Sequence, residues 1–297
     1  MLLERQRLLL ALVDALGGDV AHTDFQKLLF LFTKEWENKP SYDFVPYQFG
    51  GFSFTSYADK RRLIERGLLV DDDNRWNLSD EGRSAVGAEG VLRVRAIQFS
   101  KKETLRGDLL IASVYRRYPY CATRSRVARR VLPNRKDRES ILAALPKQRG
   151  PGLVTVGYEG RTLEAFLNLL IEDTVTVLCD VRRNPLSRKY GFSKNTLRAA
   201  CEGVGIRYEH LPELGIASEE RRGLETQADY DALFAVYERV SLPRQEAALK
   251  RIYAWIEKEG HRVALTCYEA NPCQCHRHCV AEALERLGGA YSTPRHL

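Results

Sequence analysis

The sequence predicts an α/β protein of two domains: a mainly helical, winged-helix-like domain over residues 1–150, followed by a Rossmann-like parallel-sheet domain over 151–297. Three observations predict it. The chain has 297 residues, about twice the ~100–200 of an ordinary domain. After Pro151-Gly152 the pattern changes from helices and a small hairpin to strands alternating with helices. Charge is divided as well: residues 1–100 hold 13 basic and 15 acidic side chains, 101–150 hold 14 and 4, and 151–297 hold 19 and 20. The middle segment therefore supplies the whole of the net charge of +7.

Composition narrows the class further. Hydrophobic residues are 44% and charged residues 29%, enough apolar material for a core and unlike disordered, collagen-like or fibrous chains. No uninterrupted apolar run approaches the ~20 residues that span a bilayer. The opening MLLERQRLLLALVDALGGD carries charges within its apolar repeat, so it is expected to be an amphipathic helix rather than a signal peptide, and no membrane partner is expected. Four of the seven cysteines (Cys267, Cys273, Cys275, Cys279) crowd into thirteen residues. That is not a disulfide framework, and a reducing cytoplasmic location is expected.

In the first domain, Leu8, Leu9, Leu12, Val13 and Leu16 recur at helical spacing and stop at Gly17-Gly18. A second helix is expected after Thr23-Asp24 as N-cap residues, running through FQKLLFLFTKEW before Pro40. YDFVPYQFGGFSF is aromatic with a glycine pair. SYADKRRLIERGLLV reads as a helix stopped by Gly67 and then a short strand; Asp71–Asn74 is a turn, and RWNLS the strand's partner. Helix, helix, helix, hairpin is winged-helix order. KLLFLFTKE, YDFVPYQFGGFS and LIERGLLV resemble the antitoxin-like Panacea domains over roughly the first 80 residues, which implies a protein- or nucleic-acid-binding module.

Residues 103–118 form another helical pattern, and 125–145 spread arginines around a helix broken at Pro133-Asn134. Charge runs are usually solvated faces. Here little acid balances them, and Tyr115, Tyr118 and Tyr120 add stacking surfaces. Nucleic acid, DNA in the first instance, is the expected partner, with Arg124, Arg126, Arg129 and Arg130 as contacts.

In the second domain LVTVGY, TVTVLCD, RYEHL and RVALTC are the expected strands, and EGRTLEAFLNLLIED, KNTLRAACEGVGI, two long helices and HCVAEALERLGG lie between and after them. Ligands bind outside the carboxyl ends of such sheets. The strand ends carry Tyr158-Glu159-Gly160-Arg161, Asp180-Val181-Arg182-Arg183, Glu209-His210 and Cys267-Tyr268-Glu269. Polar loops account for part of this, but not for a charge at all four ends together with a Cys-His-Arg cluster just downstream.

Residues 152–290 resemble the domain-of-unknown-function 488 family through VGYEGRTLEAFLNLL, CDVRRNPLSRKYGFSKNTL, GIRYEHLPELG and LTCYEANPCQCHRHC. The resemblance implies shared positions at Asp180, Arg182, Pro185 and Ser187, and at Cys267, Glu269, Cys275, His276 and Arg277, without implying a reaction.

Asp180 and Glu269 across one crevice would serve as an acid and a base. Tyr158, Arg182, Arg183, Ser187 and Arg188 are the expected substrate or phosphate lining, with Ser193 the N-cap of the following helix. The alternative for Arg182 is a structural ion pair with Asp180 or Glu269. Cys275, His276 and Arg277 open the last helix, whose N-terminus would lower a thiol pKa or hold an anion. His276 then becomes a general acid and Arg277 a second phosphate clamp; the alternative is a buried thiol and a capping histidine. Cys273, Cys275, His276, His278 and Cys279 invite a zinc reading, but ligands from a single loop fit a tetrahedron poorly. No metal and no cofactor are expected.

These features point to an enzyme acting on a nucleotide within DNA, most sharply by hydrolysing the N-glycosidic bond of a flipped, modified base, in the manner of a DNA glycosylase. The alternatives are a non-enzymatic DNA-binding regulator that senses a small anionic ligand, and a redox or thiol-transfer role for the cysteines.

Overall fold

The computed structural model describes residues 1–86, 90–217, 219–288 and 294–297. The chain divides into two compact units, Met1–Leu145 and Pro146–Leu297. No described helix is long and apolar enough to cross a membrane.

The first unit is mainly helical. Helix α1 (Glu4–Ala15) ends at Gly17 and Gly18, which both adopt positive φ, the conformation that lets a chain leave a helix without Cβ strain. Strand β1 (Asp19–Ala21) follows and leads directly into α2 (His22–Glu35). The helix thus begins ahead of the Thr23-Asp24 pair expected to cap it, and Ala21 at the cap offers no side-chain bond. Asp24 instead accepts the Gly107 amide at 2.8 Å. The aromatic segment forms a hairpin of β2 (Val45–Tyr47) and β3 (Gly50–Phe52). Helix α3 (Phe54–Glu65) stops before Gly67, which has φ +69°.

Strand β4 (Arg75–Asn77) pairs antiparallel with β1, and a bridge joins Leu69 to Leu78. The expected hairpin partner of RWNLS is therefore present as a bridge, while β1, too short for periodicity to reveal, supplies most of the pairing. Trp76 of β4 stacks on Phe25 at 4.1 Å in the centre of the core. Helices α4 (Asp80–Val86), α5 (Val91–Lys102), α6 (Gly107–Arg117), α7 (Ala128–Val131) and α8 (Arg135–Ala143) complete the unit. Asn134 caps α8 by accepting the Lys136 amide at 2.9 Å, so the break expected at Pro133-Asn134 is a helix start.

The second unit is a parallel sheet. Strands β5 (Gly152–Gly157), β6 (Val177–Asp180), β7 (Arg207–His210), β8 (Arg262–Cys267) and β9 (Arg295–His296) lie in the order β7-β6-β8-β5-β9. They alternate with α9 (Leu163–Glu172), α10 (Lys194–Gly203), α11 (Gln227–Val236), α12 (Glu246–Glu257) and α13 (Arg277–Arg286).

From β5 to β6 to β7 the chain moves one way across the sheet, and from β7 to β8 to β9 it moves back. Right-handed crossovers then place α9 and α10 on one face and α11, α12 and α13 on the other. The second face is a contiguous core in which Val177, Cys179, Val263 and Leu265 meet Phe234, Ile252, Trp255, Val280 and Leu284. The connections leaving β6 and β8 run in opposite directions, so a crevice opens between their carboxyl ends.

Lys27 of α2 is buried to 2% exposure, its Nζ donating to the Gly51 carbonyl at 3.1 Å. Burial lowers its pKa from 10.5 to about 8. Below pH 8 both the folded and the unfolded chain carry the proton, and the fold bears the full cost of a buried ammonium. Between pH 8 and 10.5 the unfolded chain retains a proton that the folded one has lost, so stability rises with pH, by at most ~1.4 kcal/mol per pH unit. Urea unfolding of the wild type and Lys27→Met at pH 7 to 10 should show a stability difference that shrinks as pH rises. A constant difference would mean that Lys27 does not titrate in this window.

Candidate functional site

The sequence-predicted residues of the second unit gather at the crevice, but in two distinct roles. A cavity of about 300 Å³ lies there, lined by Tyr158, Arg182, Arg183, Asn184, Leu186, Ser187, Arg188, Ile216, Arg221, Cys267, Tyr268 and His276. Strands β6 and β8 are neighbours, with Asp180 opposite Thr266. That register brings the two motifs to one edge.

Asp180 lies behind the cavity rather than in its lining. It is fully buried, and its carboxylate is gripped by the Arg182 guanidinium, with Nε to Oδ1 at 2.8 Å and Nη2 to Oδ2 at 2.6 Å. It also accepts the Arg182 amide at 3.1 Å and the Tyr208 hydroxyl at 2.6 Å. Enclosed in this way and outside the cavity lining, Asp180 stands in the structural ion pair given above as the alternative for Arg182 rather than in the position expected of an acid or base.

Arg182 spends its remaining arm on the Tyr158 hydroxyl at 2.8 Å and the Phe192 carbonyl at 2.9 Å. Burial works against its charge, but Asp180 more than offsets this and holds its pKa above the ordinary arginine value. Tyr158 stacks on Phe192 at 4.3 Å and has its own pKa raised, chiefly by burial. The Arg182 donors are thus turned into the protein, while the exposed Arg183 and Arg188 and the half-buried Arg221 offer charge to the cavity. Ser187 and Ser193 staple the loop, the Ser187 amide donating to the Ser193 hydroxyl at 3.1 Å. Ser193 occupies the N-cap position of α10 without a side-chain capping bond.

The other wall is the segment between β8 and α13. Glu269, with its side chain 13% exposed, is paired with Arg221. Burial pushes the Glu269 carboxyl up, and the charge and hydrogen bonds of Arg221, with further donors, bring it below the ordinary carboxylate value. Arg277 is fully buried and is no phosphate clamp: it reaches under the segment to the Thr155 hydroxyl at 3.2 Å and to the carbonyls of Glu269 and Ala270 at 2.5 and 2.9 Å. Gly157 makes this approach possible, since a Cβ there would stand 1.9 Å from the Glu269 carbonyl oxygen.

His276 donates Nε2–H to the Val181 carbonyl at 3.0 Å, and its Nδ1 lies 3.9 Å from Cys267 Sγ. A carbonyl only accepts, so in the neutral ring the proton sits on Nε2 and the Nδ1 lone pair faces Cys267 Sγ. The general-acid role expected of His276 would need a second proton on Nδ1, the nitrogen beside Cys267. Cys275 is fully buried, and its thiol pKa lies well above the usual range, because of burial first and the neighbouring Cys267 second. The expected lowering by the α13 N-terminus is overridden. Cys267, Cys275 and His276 place their ligand atoms within 4.8 Å of one another, whereas the loop-spacing argument against a metal considered 273–279 alone. His278 turns to the Pro272 and Cys275 carbonyls, and Cys273 is exposed.

Sequence reasoning missed Arg221 and Tyr208. Arg221 falls in an irregular stretch with no periodicity to flag it. Tyr208 alternates inward on β7 like any core residue, and only its register opposite Leu178, two residues before Asp180, marks it.

In the first unit, Arg124 is half-buried, and Arg126, Arg129 and Arg130 are exposed. Burial lowers the Arg124 pKa, which marks a side chain partly withdrawn from solvent. Arg130 pairs with Asp108, and nearby Arg116 pairs with Asp137 at 2.8 Å. Such exposed pairs are weak and leave the segment's positive excess intact.

Residues 162–284 match the model of the domain of unknown function DUF488. The match runs from the N-cap of α9 into α13 and takes in Asp180, Arg182, Glu269, Cys275 and His276, supporting the resemblance of the second unit. No curated protein and no solved structure matches the chain.

If Asp180 is structural, Asp180→Asn should lower stability by roughly 3 kcal/mol, because it leaves Arg182 buried beside an uncharged partner. Tyr208→Phe should cost about 1–2 kcal/mol through one lost charge-assisted bond. Urea denaturation of the full chain measures both. An Asp180→Asn protein as stable as the wild type would return this carboxylate to the chemistry.

Proposed function

We propose that the protein is an enzyme acting on a nucleotide within DNA, and that its second unit hydrolyses the N-glycosidic bond of a flipped base held in the cavity. The observation that carries this reading is the cavity itself. Its volume of about 300 Å³ is at the small end of ligand pockets and suits a single base or nucleotide. Arg183, Arg188 and Arg221 set a positive potential at its walls, favouring an anionic substrate. Tyr268 is 45% exposed and offers a stacking face to an extruded base.

Glu269 beside Arg221 is the carboxylate left for chemistry once Asp180 is committed to Arg182. It would orient water or stabilise the oxocarbenium-like sugar. Arg182 and Asp180 are then positioning residues that fix Tyr158 and the following loop.

For the first unit the reading is a winged-helix module that presents DNA. The ladder of β1 with β4, extended by the Leu69–Leu78 bridge after three helices, supports it. The uncompensated charge of 101–150 would supply the sequence-independent part of the affinity.

One observation favours the rival reading, a DNA-binding regulator that senses a small anion: both crevice carboxylates are ion-paired, which suits a receptor as well as an enzyme. Incubation with plain and modified DNA, followed by mass spectrometry of released base, separates the two. Release is expected from the wild type, with Glu269→Gln slowing it by about 100-fold or more while DNA affinity stays within about threefold. Tight binding without release would establish the regulator.

Neutralising Arg124, Arg126, Arg129 and Arg130 together should weaken binding to every DNA sequence and flatten its salt dependence, since each lost phosphate contact removes released counterions. An unchanged slope of log affinity against log salt would take this segment out of the interface.

A further inference from the structure

We propose that Cys267, Cys275 and His276 form a site for a zinc-class divalent cation, open on its fourth side to the arginine-lined cavity. The proposal does not depend on the DNA reading above.

Three observations carry it. The first is convergence from separate elements. Cys267 is the last residue of β8, and Cys275 and His276 stand just before α13. Their Sγ, Sγ and Nδ1 atoms lie within 4.8 Å of one another, and all three residues are buried. Zn–S bonds of ~2.3 Å and Zn–N bonds of ~2.0–2.1 Å in a tetrahedron put ligand atoms roughly 3.5–3.8 Å apart. The 3.9 Å between Cys267 Sγ and His276 Nδ1 is already close to that separation.

The second is the state of the histidine. Its Nε2 donates to the Val181 carbonyl at 3.0 Å, which fixes the tautomer with the Nδ1 lone pair directed at the two thiols. An outer hydrogen bond of this kind is what orients metal-bound imidazoles.

The third is the local scaffold. Asn271 Oδ1 accepts the Cys273 amide at 3.0 Å, and the Cys275 amide donates to the Pro272 carbonyl at 3.0 Å. The turn is built without the ion, and Cys275 is delivered by backbone bonds.

Ligand softness selects the ion. Two thiolates and an imidazole suit zinc and discriminate against magnesium and calcium, which prefer oxygen. Binding would release a proton from each thiol, and two thiolates neutralise the ion's double charge within a buried site. Two of the three ligands, Cys267 and His276, line the cavity, and Glu269 Oε2 lies 3.4 Å from Cys267 Sγ. The fourth position therefore faces the substrate space, the arrangement of sites that keep a water or ligand on the metal. An ion there would supply a Lewis acid to whatever occupies the cavity.

The test uses the full chain, purified reduced, stripped with a chelator and titrated with cobalt(II), with zinc as competitor and elemental analysis for stoichiometry. The expected result is one ion per chain, with the visible bands of tetrahedral cobalt and thiolate-to-cobalt charge transfer for two sulfurs, bleached by zinc. Cys275→Ser and His276→Ala should each weaken cobalt affinity by about 100-fold or more, and Cys273→Ser should leave it unchanged. If a variant fails to fold, the wild-type spectrum and stoichiometry still decide. No tetrahedral cobalt spectrum, equal affinity in Cys275→Ser, loss of affinity in Cys273→Ser, or a Cys267–Cys275 disulfide in the reduced preparation would each overturn the site. All these readouts are independent of any action on DNA.

Discussion

A strand that ends on a fully buried carboxylate must find a cation inside the fold, and at the end of β6 Asp180 finds it two residues away in Arg182. The rest of the crevice follows from this pair. Both Asp180 oxygens are taken by one guanidinium, so the chain after β6 has to turn back over the strand end. The free arm of the same guanidinium then fixes the Tyr158 hydroxyl and the Phe192 carbonyl. One side chain thereby ties the ends of β5 and β6 to Phe192, the residue before the N-cap of α10. Desolvating two charges is costly, and a pair of this kind is retained only where every donor and acceptor is met; here the Tyr208 hydroxyl adds a second bond to the Oδ2 that Arg182 Nη2 holds.

The opposite wall uses arginine in another way. Arg277 has carbonyls and a hydroxyl for partners, and it holds the segment after β8 close against β5. This closeness needs the bare backbone of Gly157. Glu269 belongs to that segment, and Arg221 reaches it from the irregular stretch after β7. The two walls are thus rigid for different reasons, one an ion pair, the other a guanidinium bridging backbone carbonyls.

Much of this was legible in sequence. Apolar runs bounded by turns marked β5, β6 and β8, and the shared edge of a parallel sheet follows from topology alone, so the gathering of Arg182, His276 and Cys267 was foreseeable. What sequence could not show was direction. Asp180 and Glu269 are both acids at or just past strand ends, yet one is fully buried on Arg182 and the other partly exposed on Arg221, a difference set by which cation lies near. Arg277 beside His276 looked like a phosphate clamp because its neighbours are polar; only the approach of 269–270 to Gly157 turns it inward. In the first unit β1 is three residues long and gave no period to read. Its pairing with β4 depends on residues more than fifty positions apart.

Spacing within one loop leaves out the donors that the fold brings from other elements. Cys273, Cys275, His276, His278 and Cys279 cannot surround one ion without contorting the backbone, and the fold does not ask them to. Cys273 is left in solvent, His278 bonds backbone carbonyls, and Cys279 packs in the core of α13. Two members remain, and the third donor comes from the end of a strand that the loop itself leaves. A parallel sheet makes such meetings natural, because the residue that ends one strand and the residues that open the next helix border the same crevice. The donor set is therefore to be counted over the edge of the sheet, where soft ligands from β8 and from the start of α13 sit beside the arginines that draw anions to the cavity.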